Sequence, residues 1–463
     1  MSSLHDLQHA VGGELKALPA ALGKPDAVQV GRVALDSREV EPGDTFWAIP
    51  GKHCDGEEFA EEAFARGAAG AVVAREVPVP ADRWLVSVDD ALEALWRWAA
   101  WKRRRFEGSV IAVAGSVGKT TTRQMIHTVL KTRLRGTATA RNLNDRAGLP
   151  WSMLQIEPDH DYVVLELGAS EPGEIARMAE LCQPTVGVIT HVADAHLAGF
   201  AARPKIAEVH AGLLSSLPLD GYAVLGDDPW LRRVASRSKA PITWVGRGVA
   251  CDLAAADVQW THGRLSFRLA ECPFSVPVWG RHHLTSALIA VAVGRILGFE
   301  REETARALEH FDSVPLPCEV SEVRGATIIH DAHNASPAAM RAALELLRDF
   351  DAAGRRIVLV GDLTDVGGAA ALLHRQLGNQ VVTLCGADLL IACGEYAGDV
   401  VAAARAAGMP QRHAIACRTP EETLPYLGQI ILPGDAVLVK GARVSAMRRV
   451  VDALQQFPRR RTA

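Results

Sequence analysis

Residues 110–122 of the chain read Val-Ile-Ala-Val-Ala and then Gly-Ser-Val-Gly-Lys-Thr-Thr-Thr. Few local sequences leave a backbone so little choice. Val110–Ala114 is a short apolar run, which suits a buried strand. Gly115 and Gly118 permit a tight turn, and a helix is expected from Lys119 to about Leu134. A strand, a glycine turn and a helix in that order form a phosphate-binding loop, because backbone N–H groups and the helix N-terminus face the anion. Lys119 would reach the β- and γ-oxygens of a nucleotide and the Thr120 hydroxyl would hold Mg²⁺. Gly115, Ser116, Val117, Gly118, Lys119, Thr120 and Thr121 are therefore candidate nucleotide contacts. The full motif begins with a further glycine where this chain has Val113, so the match is to its second half.

Such a loop needs a carboxylate at a neighbouring strand end to hold the metal. Glu166 fits, closing the run Tyr162–Glu166 before Leu167-Gly168; the plainer reading is an edge-strand glutamate in solvent. His196 follows the strand candidate Val186–Thr190 and is a second possible ligand, set against the ordinary fate of a lone loop histidine.

Around the loop, apolar runs alternate with helical stretches, the pattern of a doubly wound parallel sheet. Ahead of it, residues 58–70 suggest a helix ending at a glycine, and 71–74 a strand. Residues 91–106 suggest a second helix with Leu95, Trp98 and Trp101 on one face. The basic run Lys102–Arg105 reads as the solvated end of that helix, where cations suit the dipole. Beyond the Pro-containing stretch 313–317, strands are expected at 326–329, 357–360, 380–384 and 436–439, a second α/β unit. A length of 463 residues allows roughly three domains at about 150 residues each. Boundaries are placed near 107 and 315, giving units 1–106, 107–315 and 316–463.

Composition narrows the function classes. A charged fraction of 22% and a formal net charge of -4 argue against a disordered chain and against an electrostatically driven nucleic-acid binder. The eight cysteines are scattered, without metal spacing, as expected of free thiols in a reducing compartment. The first ten residues lack the apolar core of a signal peptide, and no stretch is long and apolar enough to span a membrane. A cytoplasmic location is expected.

Several segments together resemble the Mur ligases, ATP-dependent amide-forming enzymes of peptidoglycan synthesis. LDSREVEPGDTFWAIPGKHCDGEEF (35–59) is similar to the family's UDP-binding signature, and GSVGKTTT (115–122) to its phosphate loop. NLNDRAGLP (142–150), ELGASEPGEI (166–175) and AHLAGF (195–200) are similar to central-domain motifs. HDAHNASPAAM (330–340), GDLTDVG (361–367) and VLVKGAR (437–443) are similar to the third domain. The D-N-P-R motif of the diamino-acid-adding branch is missing, and KGAR sits nearer to the branch that adds D-alanyl-D-alanine to UDP-MurNAc-tripeptide.

The resemblance implies a three-domain α/β architecture: a UDP-substrate domain, a central ATP domain and a Rossmann-like third domain that closes over the cleft and presents the amine. It implies ATP and Mg²⁺ as cofactors, UDP-MurNAc-tripeptide and D-alanyl-D-alanine as partners, and a monomer. By the same resemblance Lys119, Glu166, His196 and His210 fall at catalytic positions, and Thr120, Glu166 and His196 at the metal. Asn142, His283, Asp331 and Asn334 fall on the ATP side, and Asp36, Ser37, Arg38, Asn144, Lys440 and Arg443 on the substrate side.

Five departures accompany the resemblance. The family's carbamylated lysine, which holds a second Mg²⁺, aligns with His210, and Lys205 lies five residues earlier. Neutral imidazole suits Mg²⁺ poorly. The D-D-x-Y-N-A strip reads His330-Asp331-Ala332-His333-Asn334-Ala335. The arginine after the hinge aligns with Pro317. The adenine-side motif reads His282-His283-Leu284-Thr285-Ser286, and the V-L-N-x-D-D loop is shortened to Val224–Asp228. Two other readings therefore stay open: a divergent paralogue that binds nucleotide or UDP-sugar but ligates weakly, and a ligase for a different amine.

Overall fold

The computed structural model describes residues 2–51, 54–140, 143–194, 197–200, 202–312, 318–332, 335–442 and 445–456. Three main sheets follow one another along the chain. The first is built from β1 (Glu14–Ala17), β2 (Val33–Ala34), β3 (Thr45–Trp47), β4 (Gly70–Val73) and β5 (Trp84–Ser87), in the order β1-β5-β4-β3-β2. Only β1 runs antiparallel.

The second sheet contains β6 (Ser109–Ala114), β7 (Gly136–Ala138), β8 (Tyr162–Glu166), β9 (Val186–Ile189), β10 (Tyr222–Gly226), β11 (Ile242–Gly246) and β12 (Leu253–Ala254). Its order is β12-β11-β10-β9-β6-β8-β7, and every pairing is parallel. A parallel sheet must be covered on both faces, so its strands are near-continuous apolar runs. Ile111, Val113, Val164 and Val188 pack toward one helical layer, and Val110, Ala112, Leu165 and Ile189 toward the other. An antiparallel meander follows: β13 (Ala256–Thr261), β14 (Arg264–Leu269) and β15 (Cys272–Val276).

The third sheet holds β16 (Glu319–Val323), β17 (Ala326–Asp331), β18 (Arg356–Val360), β19 (Leu389–Cys393), β20 (Ala414–Cys417) and β21 (Ala436–Lys440), in the order β16-β17-β21-β18-β19-β20. β16 is its antiparallel edge.

Most expected elements appear within a few residues, and three do not. The helix expected over 58–70 is only Ala60–Ala65, preceded by a turn at Gly56–Phe59. The strand expected at 380–384 is the end of the helix Ala370–Thr383, whose buried residues His374, Leu377, Gly378 and Val381 recur at helical spacing. Gly378 explains the packing: a Cβ there would lie 2.0 Å from Val400 O, so this helix meets Ala397–Ala406 backbone to backbone. The helix after the phosphate loop ends at Leu130, one turn short of Leu134, where Lys131 caps it through carbonyls of His127 and Val129.

The basic end of the helix Ala91–Arg103 is not merely solvated. Arg103 donates from Nε to Cys182 O at 2.6 Å, from Nη2 to Gln183 O at 2.8 Å and from Nη1 to Phe106 O at 2.9 Å. It thereby stitches this helix to the C-terminus of Glu174–Cys182. Burial draws the neighbouring Lys102 ammonium below its ordinary value.

Two junctions tie the sheets together. Trp151 Nε1 donates to Val33 O at 2.8 Å, and Trp96 Nε1 to Arg146 O at 2.7 Å. At the other junction Phe350, just past the helix Pro337–Asp349, lies 5.9 Å from Trp279 and 6.2 Å from Trp260, ring centre to ring centre. Beside it, Arg281 Nε sits 3.3 Å from Asp349 Oδ2.

Candidate active site

The loop 115–118 stands at the end of β6, flanked by β8 on one side and β9 on the other. Gly115 and Gly118 have φ of +132° and +80°, a region that L side chains rarely adopt. A Cβ on Gly115 would also lie 2.1 Å from Thr190 Oγ1. That hydroxyl donates to Val117 O at 2.6 Å, and Ser116 N donates to His191 O at 2.8 Å. The tail of β9 thus shapes the loop. The helix Lys119–Leu130 starts with no side chain capping Gly118, so its first N–H groups remain directed at the loop, ready for an anion. Lys119 Nζ donates to Gly115 O at 2.8 Å across the turn. Burial draws its ammonium below the ordinary value, and Glu166 partly restores it.

Glu166 is 1% exposed at the end of β8, between β6 and β7, so it is no solvated edge residue. Its carboxylate accepts from Thr120 Oγ1 at 3.0 Å and Asn144 Nδ2 at 2.7 Å. Arg123 Nε lies 3.3 Å from Oε2, also buried. Thr120 is thereby brought to Glu166 as expected, whereas Asn144, expected on the substrate side, is held at the same carboxylate. Nothing in the sequence marks Arg123. It lies one helical turn after Lys119 and turns inward, a direction visible only once the helix is placed against β8. A buried carboxylate and a hydroxyl against a phosphate loop form an oxygen donor set, which fits Mg²⁺.

Thr121 is buried in the same turn, and Thr122 Oγ1 donates to Ser286 Oγ at 2.8 Å. That bond fixes the start of the helix Leu284–Ile296 beside the loop. His283 precedes this helix, and burial holds its imidazole well below its ordinary value. His210 is 5% exposed on the helix Arg203–Ser215. Lys205 is exposed on that helix, 3.6 Å from Glu208, and does not take the place of a lysine at 210.

In the third sheet Asp331 and Lys440 stand opposite one another on β17 and β21. Lys440 Nζ is 2.6 Å from Asp331 Oδ2, and the lysine is 1% exposed. It is a buried partner of the aspartate rather than a solvent-facing cation. In the first unit, Asp36 caps the turn Ser37–Glu39 and accepts from exposed Arg38 at 2.9 and 2.7 Å. Ser37 turns inward, its hydroxyl donating to Glu62 at 2.7 Å. Asn142, His196, Asn334 and Arg443 lie outside the described residues, as do Pro317 and His333.

Three family models match in chain order. These are the Mur ligase family catalytic domain over residues 29–101, the Mur ligase middle domain over 113–294, and the Mur ligase glutamate ligase domain over 318–443. The UDP-N-acetylmuramoyl-tripeptide–D-alanyl-D-alanine ligase of Escherichia coli is 30% identical, covering 98% of both chains. The enzyme of that name from Bacillus subtilis is 30% identical, covering 92% of this chain and 93% of its own. Among solved structures, MurF of Acinetobacter baumannii superposes with a TM-score of 0.88 at 27% identity, covering 98% of this chain and 99% of that one. MurF of Thermotoga maritima in complex with ADP gives 0.79 at 28%, covering 92% and 97%.

Proposed function

The chain belongs to the Mur ligase family, and on that footing we propose that it joins D-alanyl-D-alanine to UDP-MurNAc-tripeptide at the expense of ATP, in peptidoglycan precursor synthesis. The observation that carries this reading is the phosphate loop with Thr120, Asn144 and Glu166 gathered at its mouth.

The chemistry follows from that arrangement. The terminal carboxylate of the tripeptide attacks the γ-phosphorus of ATP, the bond to the β-phosphate oxygen breaks, and ADP leaves. The amine of D-alanyl-D-alanine then attacks the acyl carbon of the resulting acyl phosphate through a tetrahedral intermediate. Inorganic phosphate departs and the amine gives up a proton. Such transfers depend on positioning and on neutralising charge. The loop N–H groups and the helix N-terminus hold the phosphates, and Lys119 draws charge from the transferring group. Glu166 and Thr120, with Asn144 orienting the carboxylate, would hold Mg²⁺, which when bound neutralises phosphate charge. His196, outside the described residues, is assigned beside them.

We assign the UDP moiety to 1–106, through Asp36, Ser37 and Arg38. ATP falls to 107–315, met from the third unit by Asp331 and Asn334, and the amine to 316–463, where Lys440 and Arg443 lie. Among the described residues no helix is long and apolar enough to cross a membrane. The cytoplasmic location and monomeric state we propose rest on the family resemblance. His210 bears on the efficiency of this reaction rather than its type.

Incubating the protein with ATP, Mg²⁺, UDP-MurNAc-tripeptide and D-alanyl-D-alanine should release phosphate and yield the pentapeptide mass. Lys119→Ala should lower turnover by about 100-fold or more, the scale of losing one electrostatic stabiliser. Nucleotide binding without product would leave a binding module, and product only with another amine would overturn the amine assignment.

A further inference from the structure

The flank of the phosphate loop opposite Glu166 carries a histidine that the reaction scheme does not employ. His191 follows β9 directly, and its carbonyl accepts from Ser116 N of the loop. Its ring leans the other way, toward the tail of β10, where Nδ1 lies 2.8 Å from Asp228 Oδ2. Asp228 is 1% exposed. It also accepts from the backbone N–H groups of Val192 at 3.2 Å, Trp230 at 2.7 Å and Leu231 at 3.2 Å. Burial opposes the charge, but these donors, with His191, hold the carboxyl below its ordinary range.

An ionised carboxylate only accepts, so His191 Nδ1 carries a proton, and the tautomer this bond selects presents Nε2 as an acceptor. The ring is half-exposed, while the carboxylate that orients it is buried and satisfied.

The surroundings say what that acceptor meets. A Cβ on Gly226, at the end of β10, would lie 3.1 Å from Thr285 Cγ2, and one on Gly118 would lie 3.6 Å from Ser286 Oγ. The tails of β9 and β10, the start of the helix Leu284–Ile296 and the phosphate loop therefore converge on one groove. Other charged groups nearby are paired: Asp227 with Arg232 at 2.8 Å and Asp194 with Arg203 at 2.5 Å. A nucleotide whose phosphates sit at the loop, with Glu166 on the β8 side, extends its nucleoside along this groove. The hydrogen-bond donors of adenosine are its sugar hydroxyls and the N6 amino group at the far edge of the base, and the sugar is the part nearer the phosphates.

We propose that His191, oriented by Asp228, is a nucleotide-contacting residue whose Nε2 accepts a hydrogen bond from a ribose hydroxyl of ATP. The proposal rests on the ATP-dependent reading above. It also gives a role to the shortened segment Val224–Asp228, since that segment supplies the aspartate.

His191→Asn separates the contact from mere structure. Its amide can still donate to Asp228, as Nδ1 does, but nothing remains in the place of Nε2. Wild-type protein should show a KM for ATP several-fold below that for 2′-deoxyATP or 3′-deoxyATP, a factor matching one hydrogen bond. In His191→Asn the KM for ATP should rise to that of the disfavoured analogue, with the effect on KM rather than on kcat and with the melting temperature unchanged. Discrimination retained in His191→Asn, no discrimination in the wild type, or a loss confined to kcat would each overturn the assignment. Calorimetry with ADP tells the two levels apart. A wild type that binds ADP yet ignores the sugar hydroxyls refutes this contact alone, and one that binds no nucleotide refutes the ATP-dependent reading with it.

Discussion

His210 marks where a single side chain changes what the cleft can do. The resemblance to Mur ligases leads one to expect a lysine that takes up CO₂ and presents carbamate oxygens to a metal. Here the position is an imidazole, 5% exposed, and the nearby Lys205 faces solvent beside Glu208. A lysine at 210 would have to bury an ammonium, which is costly unless the charge is removed or paired. Carbamylation would replace it with an anion suited to Mg²⁺. His210→Lys is therefore expected to increase ligase turnover and to make it depend on added bicarbonate. Unchanged kinetics with and without bicarbonate would take position 210 out of the metal site. At this scale the sequence is informative where a motif marks the residue itself, the phosphate loop for Lys119 and Thr120 and the end of an apolar strand for Glu166. It was silent on Arg123 and His191, whose partners Glu166 and Asp228 lie 43 and 37 residues away along the chain.

Elements were legible when their pattern was local. The strand before the phosphate loop and the apolar stripe Leu95–Trp98–Trp101 were both readable, and the latter is buried. Residues 380–384 were misread because Val381 and Val382 carry strand propensity, while the helical period that overrides it is set by His374, Leu377 and Gly378 upstream. The meander β13–β15 went unread. Its burial alternates along β14 and β15, but its pairings are fixed by turns rather than by a strong run. The basic end of Ala91–Arg103 was read as solvated because its partners, Cys182 and Gln183, are carbonyls, which leave no sequence signature. Arg103→Ala should lower stability by about 1–3 kcal/mol, since charged hydrogen bonds are lost and carbonyls are stranded. Guanidinium denaturation would measure it. Arg103→Lys should recover only part, because an ammonium lacks the planar fork that meets several carbonyls at once. A midpoint equal to wild type in the alanine variant would return this helix end to the solvated reading.

For the whole molecule, the junction of Trp260, Trp279 and Phe350, with Arg281 beside Asp349, connects the meander to the third unit. The proposed closure of the third unit over ATP and amine requires that unit to move, the usual expectation where interfaces are modest. Phe350→Ala removes a ring contact of about 1 kcal/mol beyond its buried area. The expected result is a larger radius of gyration by small-angle X-ray scattering without nucleotide, a red shift in tryptophan emission, and a higher KM for the amine. A scattering profile superimposable on that of the wild type would show that the ring does not hold the units together. Stacked rings also have a mechanical property that hydrogen bonds lack. Their attraction varies little as one face slides over another, and no bond need break for them to shift. A long arginine arm can follow its carboxylate through the same travel. A contact of that kind, as between Phe350 and Trp279, would persist through a small turn of one unit against the other.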